Sequence, residues 1–306
     1  MTATATEKNT LTQETETGIS RRGWPLVLLF VVALSLAGWS YLFAMIADMV
    51  PAMDMTEAGP GMGVFNHFNI FAGLSAEARA ALAVICLPAG ATFGMPGPDM
   101  TGYDLVKVFL MWAMMSMAMM LPTAIPMIRA YHAWLRRGPV PAGAMTALSI
   151  AAVLGYLSIW LGYAVVATFA HWGLSIAGGL SDMMAPASLA LTTSVLFAAG
   201  LYQFTPAKTA CLQRCWYPRW TFSGDQIGRG LVNGYREGLA QGMICLGCCW
   251  AVMTVMFAVG LMNVVWIALL GGIMALEKTF PSRVLPRLIG AGLIGWATLL
   301  VGLIYA

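Results

Sequence analysis

Seven apolar runs divide this chain, and they limit its fold more than any other feature. They span residues 24–46, 105–125, 145–172, 187–204, 239–259, 264–276 and 288–306. Crossing the hydrocarbon core of a bilayer as a helix takes roughly 20 apolar residues. A backbone in that medium must satisfy its own hydrogen bonds. Only 9% of the 306 residues are charged and 59% are hydrophobic, with a mean hydropathy of +0.77. A soluble domain carries about 25% charged residues, so this chain lacks the polar surface to face water on all sides. The sequence predicts an all-α fold: a polytopic transmembrane bundle of about seven helices, in one domain over residues 21–306. Residues 1–20 are polar and rich in Thr and Glu, and are expected to form a disordered cytoplasmic tail. Arg21 and Arg22 precede a first run too long for the core of a signal peptide, so it reads as a retained helix.

The basic residues set the expected orientation. With the N-terminus in the cytoplasm and seven crossings, every Lys and Arg except Arg79 and Lys107 falls on the cytoplasmic side. The positive-inside rule predicts that bias, and one helix more or fewer would scramble it. The expected topology is therefore N-terminus in, C-terminus out. The long outer segment, at about 47–104, carries Asp48, Asp54, Glu57, Glu77, Asp99 and Asp104. Within it, 75–87 has Ala and Leu at near-helical spacing, with Ser75 as an N-cap.

Sulfur is the second unusual feature, with 23 Met and 6 Cys against 3 His. Met111, Met115 and Met119 recur every four residues, so a helix lines them up on one stripe. Met45, Met49, Met53 and Met55, followed by Met62, gather at the outer end of the first run. Met is a flexible filler of apolar cores, and its thioether also suits Cu(I). The pattern accommodates both packing and a soft-metal route. Five of the cysteines form two groups. Cys211 and Cys215 share a helical face in the cytoplasmic loop, where Lys208 and Arg214 would favour thiolates. Cys245, Cys248 and Cys249 lie at i, i+3 and i+4 in the cytoplasmic half of the fifth run, where Gly242 and Gly247 permit close helix approach. Three or four thiolates are enough for Cu(I) or Zn. The plainer reading is reduced thiols acting as small hydrophobes at a helix contact.

The remaining polar residues read as structural. Asp104 and Lys107 suit an interfacial ion pair, and Glu277 with Lys278 an anchor at a helix end. His67, His132 and His171 read as surface or interfacial residues. No ionisable residue sits at the middle of a run, which argues against a pump driven by buried carboxylates. There is no P-loop, kinase or hydrolase signature, and a net charge of +3 gives no reason to expect nucleic acid.

Three segments carry a resemblance: residues 111–124; residues 202–208 with Cys211 and Cys215; and residues 238–250, which end Cys245-Leu-Gly-Cys248-Cys249-Trp250. Gly260-Leu-Met-Asn263 and Glu277-Lys278 follow in the same order. Over roughly residues 24–305 the chain resembles the bacterial family described as predicted metal-binding integral membrane proteins. The resemblance implies metal binding and a multi-pass place in the bacterial inner (plasma) membrane, and no mechanism.

The expectation is a non-enzymatic protein that handles Cu(I), by transport or delivery, with Zn as the alternative ion. Met45, Met49, Met53 and Met55 would capture it. Met111, Met115 and Met119 would line its route. Cys245, Cys248 and Cys249, with Cys211 and Cys215, would form the thiolate site. Its partners would be lipid, the metal ion, and a membrane complex or a metallochaperone. Two other classes fit the residues. One is a membrane thiol-redox protein using Cys211/Cys215 and Cys245/Cys248. The other is an assembly subunit whose Met and Trp serve packing alone.

Overall fold

The structure, a computed structural model, describes residues 5–52, 54–69, 102–138, 140–180, 186, 188–218 and 230–305. Side chains are described from Gly23 onward, those of Ala52, Ala142, Ile304 and Tyr305 excepted. Met53, Cys86 and the helix expected at 75–87 lie outside the described residues.

The fold is all-α. Among the described residues it has α1 (Ala5–Ala52), α2 (Gly102–Leu135), α3 (Ala142–Ile176), α4 (Leu189–Tyr202) and α5 (Pro206–Trp216), then α6 (Leu231–Thr254), α7 (Met256–Val259), α8 (Val264–Thr279) and α9 (Val284–Tyr305). Two short 3-10 helices, Met55–Ala58 and Met62–Phe68, follow α1, and one isolated bridge joins Leu180 to Pro186. The polar tail, for which the sequence predicts no order, lies within α1 from Ala5.

The helix count differs from the expected seven. Among the described residues five helices are long and apolar enough to cross a bilayer: Gly23–Pro51, Gly102–Leu135, Gly143–Ile176, Leu231–Val259 and Val284–Leu303. The run at 187–204 yields the 14 residues of α4 and the run at 264–276 the 16 of α8. At 1.5 Å per residue these reach about 21 and about 24 Å, short of a hydrocarbon core about 30 Å thick. Capping sets their lengths. Ser188 accepts from the Leu191 N–H and starts α4, while Thr205 and Pro206 open α5 directly after it. Asn263 accepts from the Trp266 N–H and starts α8.

Small residues set the packing. On α6, Gly234, Gly238 and Gly242 recur every four residues and meet α3. A Cβ at Gly234 would lie 2.6 Å from the Leu148 carbonyl oxygen, and one at Gly238 would run into the Ala152 carbonyl. Gly155 of α3 returns the contact against the Tyr235 carbonyl. Helices that approach this closely gain dispersion contact along both backbones. Gly38 of α1 does the same against Met114 and Ala118 of α2, and Gly200 of α4 against Gly290 of α9. At the far end of α7 the chain turns through Gly260, with φ at +95°. The fully buried Asn263 donates to the Pro60 carbonyl at 2.9 Å, and the Trp266 indole N–H donates to the same oxygen at 3.1 Å. These bonds tie the α7–α8 turn to the segment after α1.

The α3–α6 seam generates a prediction. Gly238→Val should destabilise the protein by about 1–3 kcal/mol, the range for overpacking a tight contact. Gly272→Val, at a position with nothing within 4 Å of its added Cβ, should leave stability near wild type. Thermal unfolding of both variants in detergent, followed by tryptophan fluorescence, makes the comparison; equal melting temperatures would remove the seam's special status.

Candidate metal centre

The three cysteines of α6 share one helical face, and their sulfurs lie within 4.8 Å of one another. Cys248 and Cys249 Sγ are 3.3 Å apart, and all three residues are buried. A fourth sulfur comes from the last turn of α5, where Cys215 Sγ stands 3.6 Å from Cys248 Sγ. Thr205 caps α5 and Leu212 anchors it in the core. Cys211, one turn earlier, goes elsewhere: its sulfur packs on Gly247, where an added Cβ would come within 2.7 Å of it. Burial pushes the Cys211 thiol up, against the opposing pull of Arg214 and Lys208. The thiolate expected from those two cations is therefore not favoured at Cys211.

Two lysines frame the cluster. Lys278, at the end of α8, turns its ammonium inward. It donates to Cys245 Sγ at 2.9 Å and to Thr123 Oγ1 at 2.7 Å, and lies 3.9 Å from Met120 Sδ. The Tyr156 hydroxyl is 2.9 Å from the same Cys245 sulfur and 3.3 Å from the Met120 carbonyl. Lys208 is fully buried behind the cluster, donating to the Cys248 carbonyl at 2.7 Å and to Glu277 Oε2 at 2.8 Å. The Trp216 indole donates to the Glu277 carbonyl at 2.7 Å, and the Tyr202 hydroxyl to the Gly247 carbonyl at 2.5 Å. The cysteine turn of α6 is thus held from α3, α4, α5 and α8. A cavity of about 30 Å³, lined by Tyr156, Cys245, Cys215 and Lys278 among others, adjoins the sulfurs. It has room for one or two waters or an ion.

The sequence reading missed Lys278, Tyr156, Thr123, Met120 and the Lys208–Glu277 pair. Glu277–Lys278 reads in the sequence as an anchor at a helix end, yet Glu277 is 1% exposed and Lys278 bonds inward. One signal was available: a 13-residue run cannot cross the bilayer, so the charges at its end lie below the surface. Tyr156 carries no such signal, because nothing in its run distinguishes it before α3 meets α6. The Met series is placed differently from the thiols. Met111, Met115 and Met119 are buried in the core, with Met119 against Gly271. Met45, Met49 and Met55 are fully buried too, rather than presented to solvent at the end of α1. All six belong to the same continuous core as Cys245, Cys248 and Cys249. His132 and His171, read as interfacial, are buried; His132 Nδ1 lies 2.9 Å from Ser149 Oγ. Asp104 and Lys107 form the expected pair at 3.2 Å.

A membrane-sized helical bundle that encloses a buried thiol cluster has the makings of a soft-metal protein. A family model described as PpoB2, copper chaperone, matches residues 109–300, more than half of the chain, and the chain belongs to that family. No curated protein and no solved structure matches it. The matched region holds both cysteine groups and the Met111–Met115–Met119 stripe, and the Met45–Met55 group precedes it. Family and cysteine cluster together support copper handling, which agrees with the metal-binding part of the sequence resemblance and narrows it.

The Lys208–Glu277 pair generates the second prediction. Both side chains are at most 1% exposed. Lys208→Met leaves a buried carboxylate without its cation and should destabilise the protein by about 3–5 kcal/mol. Lys208→Met combined with Glu277→Gln removes both charges and should recover most of that loss. Chemical denaturation of the single and double variants tests the coupling; a double variant as unstable as the single would mean that the pair acts independently of its charges.

Proposed function

We propose that this protein is a membrane-embedded copper chaperone that holds Cu(I) in a thiolate site made by Cys245, Cys248, Cys249 and Cys215. The observation that carries the reading is the convergence of four sulfurs from two helices beside an inward-facing ammonium. Ligands about 2.3 Å from one ion span distances like those within this cluster. A Cu(I) thiolate complex is anionic, and Lys278 supplies a compensating charge on the site's own wall. Cu(I) is favoured over Zn because thiolate and thioether are the softest donors available to a protein, and Met120 adds a thioether beside Lys278. Cys211 is outside the proposed set because its sulfur packs on Gly247.

The five long apolar helices support a place in a bacterial plasma membrane. The buried methionines Met45, Met49, Met55, Met111, Met115 and Met119 form the soft lining along which Cu(I) exchanges toward or away from the outer face.

Two measurements test this reading. Purified protein should bind Cu(I) in competition with a colorimetric chelator, and Cys248→Ala with Cys249→Ala should remove most of that binding. Unchanged copper stoichiometry in the double variant would end the proposal. A reversible Cys215–Cys248 disulfide without any copper binding, read by alkylation shift, would favour the redox alternative. The Met lining makes a separable prediction: Met111→Leu, Met115→Leu and Met119→Leu together should keep copper stoichiometry in detergent but slow copper movement across reconstituted vesicles at least several-fold. Equal transport rates would assign those methionines to packing.

A further inference from the structure

Cys215 is the sulfur that links the buried cluster to the surface. It lines the small inner cavity together with Cys245 and Lys278. It also lines an outer groove of about 220 Å³ whose walls include Trp216, Tyr217 and Pro281. Those same three residues form one side of a second groove of about 490 Å³, and the guanidinium-bearing residues Arg214 and Arg283 stand on it. The two grooves therefore make one trough, with a thiol at one end and two cations at the other. Among the described residues the ion pairs are Lys107–Asp104 and Lys208–Glu277, so neither Arg214 nor Arg283 is neutralised by a carboxylate there. Both are exposed, and Tyr217 between them and the thiol is 67% exposed.

A trough of this size matches small-ligand pockets of about 300–1,000 Å³. Its chemistry selects a ligand with carboxylates for the guanidiniums and a sulfur-bound metal for Cys215. We propose that the trough is a docking site for a small carboxylate-bearing thiol that carries Cu(I), and that Cys215 is the thiol to which the metal is first passed. This rests on the Cu(I)-binding reading above. The transfer is ligand exchange with no change of oxidation state. Cys215 Sγ forms a bond to Cu(I) as one Cu–S bond of the carrier's bis-thiolate complex breaks. The departing thiolate leaves with the Cys215 proton as a neutral thiol, and the copper is left bridging Cys215 and the second carrier sulfur. Cys248, whose sulfur is 3.6 Å from that of Cys215, then displaces the second carrier thiolate, and its own proton leaves in the same way. The carboxylates stay on the arginines while the sulfur end reacts, which orients the complex and raises its local concentration.

The test uses the full chain in lipid nanodiscs, without oxygen, and follows the ultraviolet thiolate-to-copper absorption. Cu(I) is offered either as its glutathione complex or as its 2-mercaptoethanol complex, at matched free Cu(I). Wild type should load faster from the glutathione complex by about tenfold, the lower end of electrostatic steering, and added salt should reduce the difference. In Arg214→Gln/Arg283→Gln the ratio of the two rates should fall close to one, and Arg214→Lys/Arg283→Lys should retain part of it. S-methylglutathione, which has the carboxylates but no free thiol, should slow loading from the glutathione complex and leave loading from the mercaptoethanol complex alone. A ratio near one in wild type, or an undiminished ratio in the glutamine variant, overturns the docking site while leaving copper binding intact. Failure to load from either donor overturns the parent reading together with this one.

Discussion

Where Gly234, Gly238 and Gly242 of α6 meet α3, two backbones sit closer than side chains would allow, and the cysteine cluster is arranged around that contact. The stripe ends one turn before Cys245. Continuing the same face, the helix delivers the Cys245 sulfur to the Tyr156 hydroxyl at 2.9 Å, directly beyond the last glycine contact. In a lipid medium apolar surface gains little by leaving the solvent, so helices associate through close packing and polar contacts. The glycines supply the first and the cysteine turn the second. A larger residue anywhere along the stripe would move α6 outward and take three sulfurs with it.

The charges around the cluster follow a similar economy. Lys208 and Glu277 are both buried, and isolated burial of either would be strongly unfavourable. Lys208 bonds Glu277 Oε2 and the Cys248 carbonyl, while Glu277 Oε1 has no partner among the described residues and the Glu277 peptide carbonyl accepts from Trp216. Their charges cancel, which leaves Lys278 as the net cation beside the sulfurs of the candidate site. Because Lys278 also bonds Thr123 and Cys245, α2, α6 and α8 are locked together at the point where the metal would sit. A change in the charge of the sulfurs would therefore be felt by three helices at once.

Much of this was legible in the residues before any coordinates. The i, i+3, i+4 spacing of Cys245, Cys248 and Cys249 determines a shared face on any helix, and the structure brings those sulfurs together. The hydropathy runs correspond to helices, but counting every run as a crossing overstated the number: the run at 264–276 is itself too short, and the cap at Ser188 with the break before Pro206 holds α4 to 14 residues. The α5 pair was half legible. CxxxC puts both sulfurs on one side of a helix, yet Cys215 meets Cys248 and Cys211 meets Gly247, since a helix lying across another presents successive turns to different neighbours. The methionines at the end of the first run read as an outward-facing group, yet Met45, Met49 and Met55 are buried, with the segment after α1 folded back against the α7–α8 turn through Asn263 and Pro60.

By itself, the sequence determined the helical class, the presence of runs apolar enough to cross a membrane and the grouping of soft donors, because these depend on composition and on spacing within single helices. The tertiary structure alone decided which sulfurs share a centre, and that Lys278, Tyr156 and Met120 surround it. Those contacts join residues up to 158 positions apart. They depend on crossing geometry set by glycine contacts between helices, and no local periodicity encodes such a relation.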